Sequence, residues 1–291
     1  MLFIGTVISV ACGSEHPVEV ESSTGQQSSL APLVYVGFED NHWAGKTDKE
    51  WWLHDTWNGI NFRLPVEGVP GTYTAWHSPT MANEGKKGLG IRLYDVTLCE
   101  DTKQRVEFEL SSWRYFTQHL EESRYYGVAL YVHPQSDDIV KETVFLQAWQ
   151  KHDLAEPRYP PFQLSFVPGS DYRWSVTMAT GDPAPGAQTR IFTSQRGLQK
   201  GRWYEFIVWF KPSVRESGAV RVWLNGSEQV AQTHRRNFGY RPRSTFPSVR
   251  DDFAVRFGAY RGRDGSCNRL GDTILIFDQA KFGTSYQAVD P

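Results

Sequence analysis

The chain has 291 residues, 40% hydrophobic and 22% charged, with three cysteines. That is enough apolar material for one large domain behind a short leader. The net charge of −2 assigns no partner by itself, and no window is long and apolar enough to cross a bilayer as a helix.

In chain order, Met1 to Ala11 is short and apolar, and Cys12 follows a small residue, as at the end of a bacterial lipoprotein signal. Ser9 stands where Leu is usual and no Lys or Arg precedes the apolar run, which an upstream start codon would explain; an ordinary cleaved signal with an incidental Cys is the competing reading. Residues 1–12 are assigned as this signal segment, with Cys12 as the lipidated residue. Residues 13–32, rich in Ser, Glu and Gln, read as a flexible tether. The protein is then expected to be exported: a bacterial cell-envelope lipoprotein in the outer membrane or periplasm, or secreted, touching membrane only through its lipid. In an oxidising compartment the remaining Cys99 and Cys267 are candidates for a disulfide.

From residue 33 to 291 the texture is uniform and reads as one domain. Short β-branched and aromatic runs alternate with Gly, Pro, Asp and Ser clusters. Such runs fall at Gly90–Leu93, Gln104–Leu110, Tyr126–Val132, Thr143–Trp149, Phe162–Phe166, Trp174–Met178, Trp203–Phe210, Ala219–Leu224, Phe253–Tyr260 and Thr273–Phe277. Several alternate with period two, as Val220, Val222 and Leu224 do against Arg221 and Trp223. The class is therefore all-β, a sandwich or jelly roll of two packed antiparallel sheets. Only Trp113 to Ser123 holds room for one or two helical turns. Trp203–Phe210 and Gly218–Leu224 form a hairpin, and Asn225-Gly226 is a tight-turn pair. The aromatic fraction of 14%, with 11 Trp, suits either a large sandwich core or stacking on flat sugar rings.

Motifs for zinc hydrolysis, phosphate-binding loops and nucleophile elbows are absent, as is the paired-carboxylate strand motif of jelly-roll glycosidases. Glu107 and Glu109 share a strand face, which alone is weak support for glycoside hydrolysis. Three strand segments instead carry polar groups two apart: Arg105-Val-Glu107-Phe-Glu109, Gln150-Lys151-His152, and Arg256-Phe-Gly258-Ala-Tyr260-Arg261. Pleating puts each set on one face. Were these strands neighbours, Arg, Gln, His and Tyr would meet in one groove. That set suits β-elimination on a uronate. Donors neutralise the carboxylate so that the C5 proton can be removed, a base takes it, and an acid protonates the leaving oxygen.

These segments resemble, in type and chain order, the Arg-x-Glu, Gln-x-His and basic-x-Gly-x-Tyr elements of the jelly-roll polysaccharide lyases. That group includes the heparin lyase I-like family and the related glucuronan and alginate lyases. Gly37-Phe-Glu39, Pro160-Pro-Phe-Gln-Leu164 and Thr273–Asp278 with Phe282-Gly283 are similar to further family segments, so the likeness spans Val36 to Val289. It implies a single concanavalin-like jelly roll with a concave substrate groove. The implied activity is cleavage of a glucuronan- or heparin-like polymer, leaving a 4,5-unsaturated uronate end. His152 is implied as base or carboxylate neutraliser, and Tyr260 as acid or as both acid and base. Gln150 and Arg105 are implied to hold the carboxylate, with Gln147 in reserve because the family often shows Gln-Trp-His. Glu107, Trp149, Lys151, Arg256 and Arg261 would line the substrate; Arg105 could equally pair only with Glu107.

Departures from the alginate-lyase pattern at Phe108-Glu109, at Arg256 and at Arg261-Gly262 make alginate a poorer fit. Arginines crowd the C-terminal third (Arg235, Arg236, Arg241, Arg243, Arg250, Arg256, Arg261, Arg263), opposed locally by Asp251 and Asp252, which suits capture of a polyanion. No nucleic-acid module is present. Glu39 and Asp278, on the expected first and last strands, could hold a structural Ca²⁺, although no cofactor is required. A monomer is expected. The alternative is a lectin-like binding protein, which needs no Tyr and His placed together.

Overall fold

The computed structural model describes residues 32, 34–39, 41–47, 50–55, 60–68, 71–97, 103–110, 118–151, 160–179, 188–213, 215–233, 252–262 and 269–290. Its strands are β1 (Val34–Val36), β2 (Asn41–Lys46), β3 (Glu50–Asp55), β4 (Ile60–Glu67), β5 (Tyr73–Ser78), β6 (Gly88–Leu93), β7 (Gln104–Glu109), β8 (Gln118–His119) and β9 (Arg124–Val132). There follow β10 (Thr143–Lys151), β11 (Phe162–Phe166), β12 (Trp174–Ala179), β13 (Gln188–Thr193), β14 (Trp203–Lys211), β15 (Ala219–Leu224), β16 (Ser227–Gln232), β17 (Asp252–Arg261) and β18 (Thr273–Gly283). One short helix, α1 (Tyr286–Val289), closes the described chain. The expected helical turn near Trp113 to Ser123 is not found in its described part, where β8 pairs with β17 and Glu121 sits at φ 65°.

The strands form two antiparallel sheets. The eight-stranded sheet runs β16-β15-β14-β9-β18-β6-β5, with β1 also on β18. The ten-stranded sheet runs β13-β12-β11-β10-β17-β7-β4-β3-β2, with β8 also on β17. Period-two alternation decides which faces meet. On β17, Phe253, Val255, Phe257 and Ala259 enter the core; on β7, Val106 and Phe108 do. Phe108 stacks on Phe257 with centroids 4.9 Å apart, and Phe257 reaches Phe277 of the opposite sheet at 5.1 Å. Each such ring contributes roughly 1.5–3 kcal/mol by burial, with about 0.5–1.5 kcal/mol more per well-oriented pair. This two-sheet core commits the alternate residues of β7, β10 and β17 to the outer face of the ten-stranded sheet.

Two local devices set the phase of that face. Along β10 the register shifts between Val144 and Leu146, and Phe145 and Leu146 both enter the core. A break of this kind moves every later side chain by one pleat position. Opposite it, Gly258 of β17 has φ 150°, where an added Cβ would meet Val106 and lie 2.7 Å from Glu107 Cα. Only glycine serves at such a position.

Candidate active site

β10, β17 and β7 are neighbours, so the strands that carry Arg105–Glu109, Gln150-Lys151 and Arg256–Arg261 lie side by side. Register places Gly258 opposite Glu107, Tyr260 opposite Arg105, and Arg256 between Glu109 and Gln147. Position 150 is paired with Phe253, a core residue, whereas Gln147 is paired with Arg256 and Trp149 with Ala254. The register thus gives Gln147, rather than Gln150, the place beside Arg256. The reason is the break at 144–146, which sequence alternation does not reveal. His152 lies outside the described residues, as do the side chains of Gln150 and Lys151 and the residues Cys12, Cys99 and Cys267. Among the arginines of the C-terminal cluster, 235, 236, 241, 243, 250 and 263 also lie outside them.

The face is built as donors held over buried carboxylates. Glu107, 1% exposed, accepts a hydrogen bond from Gln147 Nε2. Its other oxygen lies 3.3 Å from Arg105 Nε, and Arg105 Nη1 lies 3.3 Å from Glu67 on β4. The Arg105 guanidinium sits 4.3 Å from the Tyr260 ring centroid, cation over π-face, and 5.8 Å from Trp149. Arg256 donates through Nε (3.1 Å) and Nη2 (2.8 Å) to Glu109, and its guanidinium lies 5.1 Å from Trp149. Glu109 therefore faces the polar side but is buried and neutralised. Its charge is matched by Arg256, itself another of the departures from the alginate-lyase pattern.

Arg261 is a correction. It is 1% exposed and points to the opposite side of β17 from Tyr260, bonding to Gln104 Oε1 (3.1 Å), the Gly271 carbonyl (2.8 Å) and Thr273 Oγ1. Burial pushes its guanidinium down to about 10, against the pull of Tyr172 and nearby aspartates. It follows Tyr260 directly, so pleating must send the two to opposite faces.

Glu39 and Asp278 sit near the paired ends of the chain, where β1 lies along β18. Glu39 Oε1 accepts from the backbone amides of Lys86 (2.6 Å) and Lys87 (2.9 Å). Asp278 Oδ2 accepts from Asn83 N (2.8 Å) and Glu84 N (3.1 Å), and Oδ1 from Gln279 N (2.8 Å). Burial raises the Asp278 carboxyl to about 6 in spite of these amides. Both carboxylates thus tie down one loop, residues 83–87, through backbone N–H donors. Among the described residues no group of three or more His, Cys, Asp or Glu assembles for a metal.

Sequence reading passed over Arg63 of β4, which contacts Glu50 and lies 3.9 Å from Glu109. The signal was there: Phe62, Leu64 and Val66 alternate with Arg63 and Pro65 over Ile60–Glu67.

Fold and site together define a two-sheet β-sandwich with a polar, aromatic-lined working face on one sheet. The chain belongs to the polysaccharide lyase family, whose model matches residues 46–281, and it is accordingly a lyase. No curated protein matches it in sequence. Among solved structures, an endo-β-1,4-glucuronan lyase from the fungus Trichoderma reesei is similar at TM-score 0.61 and 13% identity, covering 90% of this chain and 99% of that one. A PL-14 alginate lyase from Aplysia kurodai gives TM-score 0.53 at 10% identity, covering 76% and 98%. The alginate lyase vAL-1 from Chlorella virus gives 0.51 at 10% identity, covering 76% and 93%. At these identities the likeness is one of fold.

Proposed function

We propose that the outer face of the ten-stranded sheet cleaves a uronic-acid polysaccharide by β-elimination, with a glucuronan-like chain as substrate. The observation that carries this is the convergence of Tyr260, Arg105, Gln147, Trp149 and Arg256 from three adjacent strands onto one face, in a chain of the polysaccharide lyase family. The fold likeness to a glucuronan lyase over nearly the whole chain supports the same choice of polymer. The poor fit to the alginate-lyase pattern points the same way, and a heparin-like chain is the competing uronate.

The uronate carboxylate would lie against Arg105 and the Gln147 amide. Arg105 is held in place on this face by Glu107 and Glu67, each 3.3 Å from its guanidinium. Charge-assisted donation to the carboxylate stabilises the enolate-like charge that develops as the C5–H bond breaks. The electron pair forms the C4–C5 double bond as the C4–O bond breaks. The leaving oxygen takes a proton, and the products are a 4,5-unsaturated uronate and a new hydroxyl end. Tyr260 delivers that proton, takes the C5 proton, or does both, with His152 as partner base. Trp149, beside both guanidiniums, offers its ring to the apolar face of a sugar.

The test follows ultraviolet absorbance from the new double bond on glucuronan, heparin and alginate. Absorbance should rise on glucuronan, vanish in Tyr260→Phe, and fall at least about 100-fold in Gln147→Ala, the order lost with one oriented donor to a developing oxyanion. Binding of these polymers with no rise on any of them would replace the proposal with the lectin-like reading. The same proposal places the enzyme in the bacterial envelope through lipid on Cys12, which labelling with a radioactive fatty acid and a Cys12→Ser control decides.

A further inference from the structure

We propose a second, non-cleaving sugar site on the outer face of the eight-stranded sheet, which takes a pyranose ring of a polysaccharide. It lies across the sandwich from the working face and does not depend on the elimination chemistry. A cavity of about 330 Å³ opens there between β5, β6, β18 and the segment after β9. Its volume falls at the low end of the roughly 300–1,000 Å³ usual for small-ligand sites, a size for a ring or two rather than a long groove.

Its floor is aromatic. Trp76 of β5 is in register with Gly90 of β6, and an added Cβ at 90 would collide with the indole. The missing side chain lets the indole lie flat against the neighbouring strand as a half-buried platform lining the cavity. Along the same cross-strand row, Gly90 is paired with Ile276, Ile276 with Tyr131 and Tyr131 with Trp203. Tyr131 and Trp203 have centroids 5.3 Å apart, so the aromatic track continues past the cavity.

Its walls are hydrogen-bonding and electrically balanced. Arg92 lies over the Tyr94 ring at 4.4 Å and is ion-paired with Asp272, while its Nε is buried without a hydrogen bond. His133 Nδ1 accepts from the Gln135 backbone N–H (3.1 Å), which leaves Nε2 as the ring's remaining polar atom. Burial, and then Arg92, hold His133 below its usual pKa, so at neutral pH Nε2 carries the proton as a neutral donor. Thr74 adds a hydroxyl on the same wall. Planar polar groups beside an indole suit the hydroxyls and the apolar face of a pyranose.

Affinity electrophoresis of the full chain tests this. Gels are cast with glucuronan, alginate or hydroxyethylcellulose, and an Arg105→Ala background disables the working face. At least one polymer should retard the protein. Trp76→Ala and Arg92→Gln should each weaken that retardation about tenfold or more at unchanged melting temperature. Gln135→Ala, at an exposed position, should weaken it severalfold and serves if either of the others unfolds. Absence of retardation in the Arg105→Ala background, or retardation that none of these changes alters, overturns the site. Since no turnover is read, a failure of the elimination reading leaves this result standing. In the otherwise unaltered chain, Trp76→Ala should leave turnover of a short soluble oligosaccharide unchanged.

Discussion

The Arg256–Glu109 pair gives the sharpest test of how the working face is built. Its side chains are 5% and 2% exposed and joined by two hydrogen bonds of 2.8 and 3.1 Å. Taking away one partner strands the other charge in a nearly dry place, which costs about 3–5 kcal/mol. Arg63 would not be stranded by loss of Glu109, since it keeps Glu50. For a domain of this size about 2–4 °C of melting temperature accompanies each kcal/mol. Arg256→Met and Glu109→Leu should therefore each lower the melting temperature by roughly 6–20 °C. The double variant removes both charges together and should recover most of that loss. Activity should not follow stability: if Arg256 also contacts substrate, the double variant melts near the parent yet stays inactive in the absorbance assay. Single-variant losses that simply add in the double would refute the pair as one unit. A double variant that regains turnover would remove Arg256 from the substrate's surroundings.

Three further outcomes follow from the same geometry. Arg261→Met should lower the melting temperature, because Gln104, the Gly271 carbonyl and Thr273 lose a buried charged donor worth about 1.5–3 kcal/mol per bond. Below that melting point its kcat should match the parent's, since Arg261 does not face substrate; a selective loss of kcat in folded protein would contradict this. Gly258→Ala should wedge β17 away from β7 at Val106 and Glu107, lowering stability by more than about 2 kcal/mol and abolishing turnover, as chemical denaturation and the absorbance assay would show. Asp278 has its pKa raised from 3.8 to about 6, so the folded state holds a proton the unfolded state has released. Its contribution is fully present below about pH 4 and is lost as pH rises through about 6, a change of about 3 kcal/mol. The melting temperature of the parent minus that of Asp278→Asn should accordingly fall between pH 4 and 7; a flat difference would dispose of the argument.

The all-β class and most of the longer strands are legible in the sequence, because half-buried strands write their alternation in short β-branched and aromatic runs. Phe162–Phe166 and Ala219–Leu224 are observed as read, and Thr143–Trp149 and Phe253–Tyr260 each lie within a slightly longer strand. The spacing of polar groups two apart also picked out Arg105, Glu107, Arg256 and Tyr260, together with Gln150 and His152, while Gln147 entered only in reserve through the family resemblance. The runs read from sequence do not include β1 to β5, β8, β13 or β16, although the alternation of β4 is visible and carries Arg63. Strand pairing, invisible in the sequence, puts Gln147 rather than Gln150 opposite Arg256. A break in pleating at 144–146 leaves no mark in composition, yet it shifts everything after it by one position. Only the tertiary structure, too, turned Arg261 into a strut and gave Glu39 and Asp278 to backbone amides. The identity of a charged residue states that it must be compensated; which partner compensates it depends on strands far apart in the chain being brought into register.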